Sequence, residues 1–144
     1  MPSVARNRIA ETDDYGVVED RHEDVEGITI QFVAIRDDVD AAPLLRGLPE
    51  DRCNCRHWGY VFKGKLTFDL GDREEVYEAG DAFYITRGHI PRAEPGTEYL
   101  QFSPAEELRP VSAHMQKNMA AMQDALRSPT QLGHRAEPVE RVAR

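Results

Sequence analysis

The sequence predicts a mainly β protein, a small β-barrel or double-sheet jelly roll with a C-terminal α-helix outside it. Three observations lead to this fold class. Short segments of alternating polar and apolar residues follow one another closely between residues 28 and 103. Gly-Asp pairs at residues 71–72 and 80–81 provide tight turns between such segments. After Ser103 the spacing of apolar residues changes to three or four, which is typical of a helix.

Length and charge limit the class of protein further. A chain of 144 residues suffices for one domain with a real core. The net charge of −8 argues against a nucleic-acid partner, which would require a basic face. No apolar run approaches the roughly 20 residues that span a bilayer, and the N-terminus has no apolar segment typical of a secretion signal. We therefore expect a cytoplasmic protein with reduced cysteines and no membrane partner.

The strands of the predicted barrel, which spans residues 26–103, can be assigned in order. The polar and acidic residues 1–25 precede it and contain at most one short strand, around Val17 and Val18. The segment 28–35 is rich in β-branched residues and is expected to be a buried strand. After a loop with two prolines, further strands are expected at residues 53–63, 65–70, 73–78, 82–86 and 97–103.

A helix is predicted over residues 104–126. Ser103 is a suitable N-cap, and Pro104 stands at the first helical position. A single apolar stripe along this helix is expected to pack on the barrel; it consists of Leu108, Val111, Met115, Met119, Met122 and Leu126. Pro110 is expected to kink or divide the helix because it has no N–H group. The polar residues 127–144 are expected to form a mobile tail.

The strand 53–63 carries the residues that are most informative about function. Alternate residues of a strand share a face, and one face here carries Cys53, Cys55 and His57. Thiolate and imidazole groups are ligands that zinc and other late transition metals prefer. A straight strand would separate residues 53 and 57 by about 13 Å. Either the strand is bulged, or only neighbouring members of the set coordinate one ion.

A further ligand has to come from elsewhere in the chain, and His89 is the best candidate. It lies in the loop TRGHIPR after the strand 82–86. Cys53 is the weakest candidate, because it is farthest from His57 along the strand. The alternative interpretation is that both cysteines are small buried hydrophobic residues and that His57 hydrogen-bonds inside the barrel. The combination of two reduced thiols and an imidazole on one face favours the metal site.

Two stretches resemble the paired motifs of the cupin superfamily. CNCRHWGYVFKGKLTF is similar to the early metal-bearing strand, and AGDAFYITRGHIPRAEPGTEYLQFSP is similar to the later motif with its Gly-Asp turn and loop histidine. The resemblance implies a cupin-type double-stranded β-helix, as in small single-domain bacterial cupins with a Cys-x-Cys-x-His strand. Most cupins supply two histidines and a glutamate from the first motif. The softer set here favours zinc over iron or manganese, with another divalent transition metal as the alternative.

The same resemblance implies that the barrel binds or processes a small molecule. Candidate pocket residues at the barrel mouth are Tyr84, Tyr99 and Gln101, which suit a neutral or weakly cationic ligand. Glu98 is the candidate carboxylate for acid–base catalysis, with a position on the surface as the alternative. Two other functions stay open: a non-enzymatic sensor or binding module with an oxidisable thiolate–zinc site, and a metal-free cupin.

The second face of the strand 53–63 predicts self-association. It carries three aromatic residues, Trp58, Tyr60 and Phe62. These residues and the apolar stripe of the helix together exceed what one small barrel can cover. Exposed apolar patches of several hundred Å² are unusual on monomers, and two-fold dimers are the commonest soluble assembly. We therefore expect a homodimer.

Overall fold

The computed structural model describes the backbone of residues 3–142 and the side chains of residues 3–126. The described strands are β1 (Glu11–Asp14), β2 (Val18–Val25), β3 (Ile28–Ile35), β4 (Val39–Asp40), β5 (His57–Lys63), β6 (Lys65–Asp69), β7 (Glu74–Glu78), β8 (Ala82–Ile85), β9 (Ile90–Ala93) and β10 (Glu98–Pro104). Short 3-10 helices lie in the connections at Arg6–Arg8, Ala42–Leu45 and Pro49–Asp51, and helix α1 spans Ala105–Val142.

The strands form two sheets that pack face to face. The first has the order β1-β2-β3-β10-β5-β8, and the second has the order β4-β9-β6-β7. All pairings among these strands are antiparallel. The core between them contains side chains from both sheets: Val33, Ile35, Val61, Leu66, Phe68, Phe83, Ile85 and Ala93. The mainly β jelly-roll barrel with a C-terminal helix is the fold class that the sequence predicts.

The inner face of the first sheet changes from apolar to polar along the strands. On β3, alternate residues point inward and are buried. Val33 and Ile35 belong to the apolar core, whereas Thr29 and Gln31 are buried polar residues nearer the start of the strand. Gln31 pairs in register with Gln101 of β10. One end of the barrel is therefore a closed core, and the other end has polar walls.

The N-terminal region contains more strand than the sequence predicts. Instead of one short strand around Val17 and Val18, both β1 and β2 form, and β2 pairs with β3 along its whole length. The turn between β2 and β3 uses Glu26 and Gly27, both with positive φ, which is typical of a two-residue hairpin turn. The prediction was wrong because β2 carries charged residues on both faces, which hides the apolar alternation of a half-buried strand.

The strand that was expected at residues 53–63 begins only at His57. Residues 53–56 form an irregular segment, and Cys53 makes an isolated backbone bridge to His89. The physical reason lies partly in helix α1, because the backbone N–H of Arg56 donates to the Glu107 carboxylate at 3.2 Å instead of to a neighbouring strand. The 13 Å separation expected for a straight strand therefore does not apply between Cys53 and His57.

Helix α1 begins at Ala105, and Pro104 belongs to the end of β10. The helix runs unbroken through Pro110, so the predicted division is wrong. Pro110 leaves only the carbonyl of Glu106 without its helical partner, and both residues are exposed, so that water can bond this carbonyl. Among the described residues, no helix combines the length and the apolar character that crossing a bilayer requires.

The apolar stripe of α1 packs on the barrel only in its first half. Leu108 and Val111 are buried in a second cluster beneath the helix, with Met115 against it. Met122 is 44% exposed and Leu126 is 78% exposed, so the stripe extends beyond the barrel there. The backbone of α1 continues to Val142, so the helix does not end at residue 126 as the sequence predicted. The side chains of residues 127–144 lie outside the described part of the chain, and the expectation that this segment is mobile stays a prediction.

Gly59 is required by close packing, which gives a test of the sheet contacts. A Cβ atom at this position would overlap the carbonyl oxygen of Leu100 and the ring of Phe83. We expect Gly59→Ala to lower the free energy of unfolding by about 1 to 3 kcal/mol, because it overpacks the inner face. Chemical denaturation measures this loss.

Gly80→Ala is a matched control for this substitution. Gly80 has open space around its Cα but a φ of +96°, so only backbone strain opposes a side chain there. We expect a loss of about 1 to 2 kcal/mol, with no change in packing. A Gly59→Ala variant that is as stable as the wild type would show that the strands do not approach so closely.

Candidate metal centre

Three side chains from two parts of the chain converge at the polar end of the barrel. Cys53 lies in the irregular segment before β5, His57 is the first residue of β5, and His89 lies in the turn before β9. One ligand atom from each lies within 4.8 Å of the others. All three residues are buried, with exposed fractions of 5%, 4% and 0%. The arrangement is a compact group of one sulfur and two imidazole donors.

His57 is held by a serine on the adjacent strand. Its Nδ1 atom lies 2.7 Å from the hydroxyl oxygen of Ser103 on β10. Its Nε2 atom lies 3.7 Å from the Cys53 sulfur. Tetrahedral zinc with ordinary bond lengths would place a sulfur and a nitrogen ligand about 3.6 Å apart. The separation of these two atoms therefore fits a shared zinc ion.

His89 presents its free nitrogen to the same group. Its Nδ1 atom lies 2.7 Å from the carbonyl oxygen of Thr86, which can only accept, so Nδ1 carries the proton. Its Nε2 atom is buried without a hydrogen-bond partner. Leaving a buried acceptor unpaired costs about 1 to 3 kcal/mol. A metal ion at this lone pair would supply the missing partner, and the residues present therefore fit a metal.

The local electrostatics keep all three groups neutral in the absence of a cation. Burial raises the pKa of the Cys53 thiol to about 11. Burial lowers the pKa of His89 to about 4, and burial together with the nearby His89 lowers the pKa of His57 well below its ordinary value. Neutral imidazoles are the form that binds metals, and a cation would stabilise the thiolate of Cys53.

Cys55 lies outside this group. It is fully buried, and its thiol donates to the carbonyl oxygen of Arg56 at 3.4 Å. Burial, followed by the neighbouring Cys53, raises the pKa of Cys55 to about 12. The structure thus brings together three of the four predicted ligands and includes Cys53, the weakest candidate. The irregular backbone of residues 53–56 explains this choice, because it removes the separation that a straight strand would impose.

The three donors form part of the wall of a cavity of about 230 Å³ between the sheets and helix α1. Two of the predicted pocket residues, Tyr99 and Gln101, line it, and Gln101 donates to Gln31 at 2.9 Å. The prediction for Tyr84 was wrong. Alternation along β8 buries its two neighbours, so Tyr84 is 48% exposed on the outer face, with its ring centre 5.1 Å from that of Trp58.

The structure also places Glu98 away from the cavity. Its carboxylate forms salt bridges on the outer surface with Arg6 at 3.2 Å and with Lys63 at 3.6 Å. The reason is the alternation of β10, which directs Tyr99 and Gln101 inward and Glu98 outward. Glu98 is therefore not available for acid–base chemistry inside the barrel, and the surface alternative holds.

The sequence analysis missed a carboxylate that does line the cavity, Asp20 on β2. Its Oδ2 atom accepts from the side-chain amide of Gln31 at 2.9 Å, while Oδ1 is buried without a partner. Burial raises the pKa of Asp20, and the hydrogen bond from Gln31 opposes this shift. Recognition of β2 as a strand would have placed Asp20 and His22 on one face, but its charged pattern concealed the strand.

A carboxylate on helix α1 holds the irregular segment in place. Glu107 accepts hydrogen bonds from the Arg56 backbone at 3.2 Å and from its guanidinium group at 2.6 Å, and it also bonds Arg87 at 2.9 Å. The hydrogen bond from the Arg56 side chain is the largest cause of a lowered pKa of Glu107, which falls from 4.5 to about 2. The helix is thereby connected to the backbone that carries Cys53 and Cys55.

We expect Glu107→Gln to destabilise the fold by about 1 to 2 kcal/mol at neutral pH, with part of the ion pair screened by solvent. Because the folded pKa is depressed, the stabilisation is complete above about pH 4.5 and is lost as the pH falls towards 2. In thermal unfolding between pH 7 and pH 3, the melting temperature of Glu107→Gln should lie below that of the wild type, and this difference should become smaller below pH 4.5.

The control for this series is Glu106→Gln, because Glu106 is the exposed neighbouring carboxylate. It should leave the melting temperature within about 1 °C of the wild type at every pH, as surface changes usually do. Equal melting temperatures for the two variants would contradict the role of Glu107.

Comparisons with known proteins bear on the fold. No protein family matches the sequence, and no curated protein matches it either. Several solved structures are similar in three dimensions. The polyketide cyclase RemF from Streptomyces resistomycificus superposes with a TM-score of 0.52 and 15% sequence identity, over 73% of this chain and 80% of that one.

Two further structures give the same result. KdgF from Halomonas sp. has a TM-score of 0.50 and 19% identity, over 72% of this chain and 94% of that one. An RmlC-like cupin from Shewanella frigidimarina NCIMB 400 has a TM-score of 0.50 and 16% identity, over 73% and 93% of the two chains. At these identities the likeness shows the fold alone. The protein has the cupin-type double-stranded β-helix fold. Its place among cupins with a Cys-x-Cys-x-His strand stays a prediction.

Proposed function

We propose that this protein is a zinc-binding cupin that binds or processes a small molecule in its barrel. One observation carries the proposal: Cys53, His57 and His89 converge on the cavity wall, and the Nε2 atom of His89 is buried there without a partner. A thiolate with two imidazoles is a ligand set that suits zinc better than iron or manganese.

The number of donors favours a reactive site over a purely structural one. Structural zinc sites use four protein ligands, whereas catalytic sites use three and keep one position for water or substrate. Zinc at such a site lowers the pKa of a bound water or polarises a bound oxygen atom. The chain itself orients the two imidazoles through Ser103 and Thr86, and the Thr86 carbonyl also sets the tautomer of His89.

The other functions that the sequence left open receive less support. A redox sensor requires thiolates that oxidants can reach, but Cys53 is 5% exposed and Cys55 is fully buried. A metal-free cupin would leave the Nε2 atom of His89 unpaired at a lasting cost in stability. Both cysteines are free rather than paired, which supports a reducing, cytoplasmic location. The net charge of −8 supports a small-molecule partner over nucleic acid.

We expect the purified protein to contain about one zinc ion per chain. Cys53→Ala and His89→Ala should each reduce the zinc content to below about a tenth of the wild-type value. Both should also lower the melting temperature by roughly 10 °C relative to the zinc-loaded protein, because binding energy adds to folding energy. Elemental analysis of protein made without chelators and thermal unfolding measure the two effects.

Cys55→Ala is the matched control, since it removes a buried thiol that lies outside the group of three donors. It should keep its zinc while losing some packing energy. Stoichiometric iron in the wild type, or no metal, would overturn the zinc assignment. If Cys55→Ala loses its zinc while Cys53→Ala keeps it, the thiolate ligand is Cys55 and not Cys53.

We also propose a homodimer formed through the outer face of the first sheet. The neighbouring strands β10, β5 and β8 expose apolar side chains on this face. Their exposed fractions are 37 to 48%, and they are Trp58, Tyr60, Phe62, Tyr84 and Phe102. Surfaces of this kind are usually covered by another protein, and a second copy is the commonest partner.

Sedimentation at micromolar concentration should give a dimer for the wild type and a monomer for Tyr60→Glu, because a charge would be buried at the interface. Val76→Glu is the control, since Val76 is 48% exposed on β7 of the other sheet. That variant should remain dimeric. A monomeric wild type would exclude the dimer, and dissociation of Val76→Glu would place the interface on the second sheet.

A further inference from the structure

Two buried side-chain atoms among residues 3–126 have no hydrogen-bond partner, and both belong to residues that line one cavity. They are Nε2 of His89 and Oδ1 of Asp20. A metal ion accounts for the first atom. The second belongs to β2, which lies three strands away from β5, the strand that carries His57. The metal group therefore does not explain it.

The surroundings of Asp20 fix one carboxylate oxygen and leave the other unused. Gln101 donates to Gln31 at 2.9 Å, and Gln31 donates to Oδ2 of Asp20 at 2.9 Å. This chain of two amides orients the carboxylate. The nearby base, His22, is already paired with Asp13 at 3.0 Å. None of the salt bridges among the described side chains involves Asp20.

Burial raises the pKa of the partly buried Asp20, while the hydrogen bond from Gln31 and the nearby His22 oppose this shift, so a further cationic partner would stabilise its charged form. Much of the remaining cavity wall is apolar, with Val33, Leu66 and Phe68 from the sheets and two methionines from helix α1. It also contains polar side chains such as Tyr15 and Gln116, and Arg92, which is paired with Glu74. The complementary molecule has one positively charged hydrogen-bond donor and an apolar body. An ammonium group meets the first requirement, since it donates and cannot accept.

We propose that Asp20 is the recognition residue for the ammonium group of a primary amine whose apolar body occupies the cavity. The inference rests on the proposed function, because it names the class of small molecule that the barrel binds. Asp20 lines the cavity, and its Oδ1 atom, which accepts no hydrogen bond within the protein, is the acceptor for the ammonium group. Asp13, which pairs with His22 at 3.0 Å, lines the same cavity and adds a second carboxyl group to this wall.

Hexylamine and 1-hexanol are suitable probes, because they share an apolar chain and differ in the charged group. Calorimetric titration of the wild type should show hexylamine binding at least tenfold more tightly than hexanol. Asp20→Asn should abolish this preference and leave hexanol binding unchanged. It should also be at least as stable as the wild type, because the partly buried carboxylate is replaced by a neutral amide of the same shape.

Glu23→Gln is the control for general charge, since Glu23 lies on the opposite face of β2 and the variant loses the same single charge. It should keep the full preference for hexylamine. Equal binding of the two probes by the wild type, or no binding of hexylamine at millimolar concentration, overturns the proposal. So does an equal loss of preference in Glu23→Gln. Should Asp20→Asn fail to fold, Asp20→Ser provides the same comparison.

A third variant separates this inference from the metal assignment, because an amine nitrogen could also bind zinc directly. His89→Ala, titrated after removal of metal by a chelator, should retain the preference for hexylamine. Loss of the preference in His89→Ala with its retention in Asp20→Asn would assign amine binding to the metal group instead. Elemental analysis tests the zinc assignment independently. If the wild type contains no zinc but still binds hexylamine more tightly than hexanol, the zinc assignment fails and the role of Asp20 is supported.

Discussion

The candidate site depends on the backbone bridge between Cys53 and His89. The N–H of Cys53 donates to the His89 carbonyl at 2.9 Å, and the N–H of Gly88 donates to the Cys53 carbonyl at 2.8 Å. This bridge fixes the segment before β5 against the turn before β9, so that side chains 36 residues apart in sequence come together. Glu107 holds the other end of the segment from helix α1. The three donor atoms meet because the backbone is fixed at both ends.

Most of the barrel was predictable because its strands alternate clearly. Strand β3 was predicted with its observed limits, and β6, β7, β8 and β10 lie within a residue or so of their predicted ends. The exceptions are β1 and β2, the short strands β4 and β9, which were not predicted, and β5, which begins at His57 instead of residue 53. The inward-facing residues of β2 include Asp20 and His22, which face a cavity instead of an apolar core. A strand that lines a polar site lacks the apolar alternation of a half-buried strand, so the feature that concealed it is the one that suits it to binding.

The site residues were predictable to different degrees, and alternation explains the differences. Residue type and motif were enough to identify His57 and His89 as candidate metal ligands. The choice between Cys53 and Cys55 depends on the path of the irregular backbone, which the sequence pattern does not give. Glu98 and Tyr84 were placed wrongly although the pattern was sufficient. Tyr99 and Gln101 are expected inside the barrel, and an adjacent residue on the same strand must then point outward. The same argument applies to Tyr84, because its neighbours Phe83 and Ile85 are buried in the core.

The two unpaired buried atoms connect the stability of this fold with its function. A core that is selected for stability alone would satisfy or remove them, since each costs about 1 to 3 kcal/mol. Here the nitrogen of His89 and the oxygen of Asp20 both belong to residues lining one cavity, and each already uses its other polar atom within the protein. The protein thus orients both groups while leaving one atom of each free. Such an arrangement is stable only because the apolar core and the antiparallel sheets contribute more than it costs, and a bound metal and a bound cation would satisfy both atoms.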